Sequence, residues 1–243
     1  MIRRSSFLVA VVGLALEISA HGAEVTFTSQ PNRAHLLELF TSEGCSSCPP
    51  AEVWLSQLKN EPKLWRDFVP VAFHVDYWDR LGWRDPFASK EWTARQYAYS
   101  LQWKGESVYT PGFVLDGREW RREGVPVAGA EMPGLLKIAV AENELVTADF
   151  TPAANDKRAY EVHVARLGFG LDIDVKAGEN SGRKLQHDFV VLSLVSTPIS
   201  SAMKQLRLPA GPASPAKSKR GALAAWITEV GRTEPIQAVG GWL

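Results

Sequence analysis

HLLELFTSEGCSSCPPAEVWLSQLKN, residues 35–60, is the stretch whose reading decides the fold. His35 to Phe40 is a compact apolar run that predicts a buried strand. From Pro49 to Asn60, Ala51, Trp54, Leu55 and Leu58 keep the i, i+3, i+4, i+7 spacing of an amphipathic helix. Pro49 and Pro50 suit its first turn, whose backbone N–H groups lack partners anyway. Between strand and helix stands Gly44-Cys45-Ser46-Ser47-Cys48. A C-x-x-C in that position can close a small disulfide and reopen it. The partial positive charge of a helix N-terminus stabilises a thiolate there. Cys45 is then the attacking sulfur, and Cys48 resolves the mixed disulfide.

Working outward, short apolar runs alternate with helical periodicity over residues 34–143, which predicts α/β layering. Phe68 to Val75 reads as a second strand. Asp85-Pro86 opens a helix with Phe87, Ala94, Ala98 and Leu101 inward. Phe113 to Leu115 is strand-like before the Asp116-Gly117 turn, and Glu131 to Ala141 reads as a helix. After residue 144 the period changes to two, in Tyr160, Val162, Val164 and in Leu171, Ile173, Val175. Phe189 to Val195 and Ala222 to Ile227 add strands, and Pro209 to Lys219 is a connector. Residues 144–243 are therefore expected to form a smaller all-β, sandwich-like module. The turn-rich Gly178 to Arg183 reads as a tight connection between strands, and the run Arg118 to Glu123 as a solvated surface.

Among 243 residues, 27 basic side chains balance 27 acidic ones, so the charge footprint of a nucleic-acid binder is missing. Two cysteines exclude a disulfide-stapled miniature fold and a four-cysteine zinc site. No Walker loop, G-x-S-x-G elbow or H-E-x-x-H motif is present, and no cofactor is expected. Residues 1–23 read as an export signal: Arg3 and Arg4 precede the apolar run Phe7 to Leu16, and small residues follow. An uncleaved anchor is the alternative, although the run falls short of the about 20 residues that span a bilayer. The expected location is periplasmic or secreted, without stable membrane insertion once the signal is removed, where a cysteine pair can stay oxidised.

Cys45-x-x-Cys48, the helix behind it and Thr110-Pro111 resemble the thioredoxin-like superfamily, which implies an α/β thioredoxin-like domain over residues 34–143 and a cis-proline across from the cysteines. LLELFTSEGCSSCPPAE, AFHVDYWDRLGWRDPFAS, VYTPGFVLDG and GENSGRKLQHDFVV look like the exported bacterial family known as domain of unknown function 1223. That resemblance implies the same fold and no established activity. Glu38 is the nearest counterpart of the buried acid that relays protons to the resolving cysteine, provided that it faces inward.

Asp76, Trp78 and Trp83 form either a lip that receives a partner's peptide or the packing of a long connection. Three functions stay open. The first is thiol–disulfide exchange with exported protein thiols or disulfides and a redox partner protein. The second is a binding module in which Cys45–Cys48 is a permanent clasp. The third is a Cu(I) or other metal chaperone with Cys45, Cys48 and His74, or His35, as ligands.

Overall fold

Residues 35–41 and 68–74 are buried along nearly their whole length, as happens when both faces of a strand are covered. They form the parallel centre of the molecule, pairing from His35–Phe68 to Thr41–His74. The computed structural model describes residues 24–121, 124–142, 144–154, 156–200, 203–211 and 217–243. The expected signal at 1–23 lies outside them, as do Arg122, Glu123 and residues 212–216 of the connector.

Along the first half run β1 (Val25–Thr28), β2 (His35–Thr41), α1 (Pro49–Gln57), β3 (Phe68–His74), α2 (Lys90–Gln102), β4 (Gly112–Leu115), β5 (Arg118–Glu119) and β6 (Gly134–Val140). The second half adds β7 (Leu145–Pro152), β8 (Tyr160–Phe169), β9 (Leu171–Asp174), β10 (Lys184–His187), β11 (Val190–Ile199), β12 (Lys204–Arg207), β13 (Arg220–Glu229) and β14 (Pro235–Trp242).

The expected α/β thioredoxin-like domain with a separate sandwich-like module is not what forms. The described residues are mostly β-sheet, 44% strand against 13% helix, and include two α-helices. One eight-stranded sheet has the order β14-β13-β8-β11-β3-β2-β4-β5. Its seam is the parallel contact of β11 with β3, Val190 beside Ala72, so strands from beyond residue 144 extend the same sheet. A second sheet, β1-β6-β7-β12, also mixes strands of both halves, and β9 and β10 form a hairpin. Residues 134–140, expected as helix, are strand β6. Leu136 and Ile138 point into the core while Leu135 and Lys137 point out, a period of two hidden within a continuous apolar run.

The two helices lie on opposite faces of the large sheet, as strand alternation shows. Glu38 and Phe40 of β2 meet Tyr99 of α2. Thr41 meets Glu52 of α1, and Phe113, which pairs with Leu39, packs edge-on against Trp54 of α1. On β13, Trp226 faces the α2 side beneath Arg95, whereas Leu223, Ala225 and Ile227 point the other way into a second core shared with Leu136 and Ile138 of the smaller sheet. Helix α2 buries Trp92, Gln96, Tyr99 and Ser100, not the expected stripe, and Leu101 is 75% exposed. Ser89 caps it by accepting the Glu91 N–H.

Candidate functional site

The loop between β2 and α1 carries Cys45 and Cys48 as a disulfide, with Cα atoms 5.5 Å apart. Cys48 is the N-cap of α1, and its carbonyl accepts the N–H groups of Ala51 and Glu52. Because Pro49 and Pro50 have no N–H, the first donors of the helix are already engaged. Little of the expected helix-terminal stabilisation is therefore left for a Cys45 thiolate. Ser47 Oγ lies 3.3 Å from Cys45 Sγ.

Both cysteines are 0% exposed. The Gly178 to Arg183 turn is tied to the backbone of their loop. Asn180 Nδ2 donates to the carbonyls of Glu43 and Cys45 at 2.8 and 2.9 Å, and Glu179 accepts the backbone N–H and the hydroxyl of Ser46. Those two bonds from Ser46 hold the exposed Glu179 carboxyl below the usual carboxylate range. Gly178, at φ +75°, lets the turn pass between Trp83 and Gly44.

Of the residues singled out in the sequence, Trp78 and Thr110 are brought to the cysteine loop. Trp78 packs against Gly44, where even a Cβ would come within 2.9 Å, and donates from Nε1 to Thr110 Oγ1 at 2.8 Å. The Thr110–Pro111 peptide is cis. Trp83 donates to Glu43 Oε2, and Asp76 is tied to Thr93 of α2. Glu38 does not lie beneath Cys48. It is on the α2 face, bound by Arg95 at 2.6 Å and by the Tyr99 hydroxyl. The metal set Cys45, Cys48 and His74 is not assembled, because the disulfide uses both thiolates and His74 pairs with Asp85. His35, the other ligand considered, pairs with Asp116.

What the sequence reading missed is a buried cluster at the base of α1. Glu52, one helical turn from Cys48, binds Thr41 and lies 2.6 Å from His187 Nδ1. His187 Nε2 is 3.2 Å from Glu43 Oε1 but is not aligned for a hydrogen bond. His74 Nδ1 is 2.7 Å from Asp85 Oδ2, which also accepts the Glu43 N–H. The two imidazoles meet edge to face, with centroids 5.0 Å apart. Burial pulls the pKa of both histidines down, yet the facing carboxylates outweigh it: Asp85 raises His74, and Glu52 with Glu43 raises His187 well above its ordinary value. Burial likewise pushes Glu52 and Asp85 up, and their histidine partners bring both below normal. The inward turn of Leu185 and His187 in the pattern KLQH was the available signal for the last member.

Other cavities are set apart from the disulfide. The larger, about 1020 Å³, runs along β5 and the start of β14 and is lined by residues such as Arg33, Arg118, Trp120, Arg158 and Glu234. A smaller one of about 280 Å³ adjoins Tyr109, Gly112 and Trp103.

The family model described as protein of unknown function (DUF1223) matches residues 36–228. The chain belongs to the DUF1223 family. This DUF1223 chain is similar to the solved structure of protein AGR_C_4864 from Agrobacterium tumefaciens, at 26% identity and a TM-score of 0.58, covering 88% of this chain and 95% of that one. It also shares a fold with HBP35 of Porphyromonas gingivalis, at 12% identity and a TM-score of 0.53, covering 87% and 76% of the two chains. No curated protein matches it. Among its described residues, no helix is long and apolar enough to cross a membrane.

Proposed function

We propose that this DUF1223 protein exchanges thiols and disulfides with exported proteins through Cys45 and Cys48, in a periplasmic or secreted setting. The observation that carries the reading is the small ring under a separate cover. A disulfide between residues three apart removes only about 2 kcal/mol of chain entropy from the unfolded state, little reason to keep a clasp. The turn is anchored through the exposed Glu179 and the buried Asn180, so opening it breaks two contacts already near water and two that are not.

With the turn lifted, the reduced Cys45 thiolate attacks one sulfur of a partner disulfide, and the partner's other sulfur leaves as a thiolate. Cys48, on losing its proton, attacks Cys45 and releases the partner's second thiol. Two electrons pass from the pair to the partner, and the reverse sequence oxidises a partner dithiol.

The complete burial of both cysteines favours a second reading, a permanent clasp within a binding module. Equilibration of the folded protein in glutathione buffers, read by thiol alkylation, separates the two. Exchange predicts a reversible transition between about −120 and −270 mV, and Cys48→Ser should trap a mixed disulfide. A pair still oxidised below about −300 mV, with Cys45 unreactive after reduction, establishes the clasp.

A further inference from the structure

We propose that His74, His187 and Glu52 form a buried site for a first-row divalent cation. The inference is independent of disulfide exchange and goes beyond it. One ligand atom from each residue lies within 4.8 Å of the others, and the three come from the end of β3, from β10 and from α1. Both histidines are 1% exposed, yet His74 Nε2 has no hydrogen-bond partner, and His187 Nε2 faces Glu43 Oε1 at 3.2 Å without the alignment of a hydrogen bond. A buried ring nitrogen without a partner is rare inside proteins, and this one belongs to the same cluster.

The donor chemistry is selective. Two imidazoles with a carboxylate suit zinc or a similar first-row ion, whereas calcium and magnesium ask for oxygen ligands. Soft thiolates, which would favour Cu(I), are committed to the disulfide. Behind His74, Asp85 holds Nδ1 and is itself fixed by the N–H groups of Glu43 and Phe87, leaving Nε2 aimed at the site. Such outer carboxylates orient a ligating imidazole. The Phe87 ring packs on both histidines and walls the site. Glu43 Oε1, 3.2 Å from His187 Nε2, stands as a fourth donor. A tetrahedral ion with bonds of about 2.1 Å spaces its ligands about 3.4 Å apart, and Glu43 Oε1 and His187 Nε2 already stand 3.2 Å from each other.

Calorimetric titration of the full oxidised chain with zinc chloride should show one saturable equivalent. His74→Gln and His187→Gln should each weaken it at least about 100-fold, and Asp85→Asn by about 10–100-fold. Cobalt(II) added to the unsubstituted chain should give d–d absorption without a thiolate-to-cobalt charge-transfer band, a reading that no misfolded variant can obscure. The Cys45→Ser/Cys48→Ser double variant should keep zinc while losing exchange, which separates this inference from the redox one. Absence of saturable zinc binding, indifference to the histidine substitutions in folded variants, or a sulfur charge-transfer band would each overturn the site.

Discussion

Asn180 holds Cys45 by its backbone, donating from one amide nitrogen to the Cys45 carbonyl at 2.9 Å and to the Glu43 carbonyl at 2.8 Å. Asn180 is wholly buried, so Asn180→Ala leaves the Glu43 carbonyl without a donor, costing about 1–3 kcal/mol, and the Cys45 carbonyl with the Cys48 N–H alone. The turn should lift more often. Reduction of the Cys45–Cys48 disulfide by dithiothreitol is expected to speed up at least about tenfold, the equivalent of about 1.4 kcal/mol. Stopped alkylation followed by mass measurement reads the rate. An unchanged rate would mean that the turn is no barrier.

Arg95 and Glu38 form a buried ion pair on the α2 face, with the guanidinium stacked over Phe73, Tyr99 and Trp226. Removing one partner strands the other charge away from water. Arg95→Leu should therefore cost about 3–5 kcal/mol in urea unfolding. The Arg95→Leu/Glu38→Leu double variant should recover much of that loss, since an apolar pair of similar volume is often no less stable.

His163 lies on β8, flat against Trp226 and bonded to Ser196 and Thr228. Burial, and secondarily the charge of Arg95, push its pKa down to about 3, although Glu161 lies 3.8 Å away. The unfolded chain takes up a proton near pH 6.5 that the folded chain refuses until about pH 3. Stability from this group is thus complete above pH 6.5 and is lost as the pH falls toward 3, by about 1.4 kcal/mol per unit. Urea midpoints at pH 7, 6, 5 and 4 should show a shallower decline in His163→Gln than in the parent.

Gly241 of β14 lies under Phe27 of β1, and a Cβ there would come within 2.0 Å of the ring. Gly241→Ala should destabilise by about 1–3 kcal/mol or more through overpacking. Phe27→Leu in the same chain should return part of it, as paired denaturation curves would show.

The local features were readable because their cause is local. The β2 run, the C-x-x-C and the period-two strands at Tyr160 and Leu171 need only neighbouring residues to declare themselves. The seam between Val190 and Ala72 does not, since nothing near either residue announces the other. Without it, the later strands read as a module of their own. The α2 face was misread because Gln96 looks like a surface residue, whereas it turns inward to donate to the Tyr109 carbonyl. Glu38 was the acid chosen beneath the cysteines, but strand alternation gives that face to Thr41, and through it to Glu52. The sequence sets His74 with the cysteines; its companions in the fold, Glu43, Glu52, Asp85 and His187, come from separate segments that only the folded sheet gathers.

The lid and the bond it hides are made at different moments. Ribosomes work from the amino end, so Cys45 and Cys48 emerge long before Asn180 exists. The pair therefore stands without Asn180 until the chain has grown by the 135 residues that separate it from Cys45.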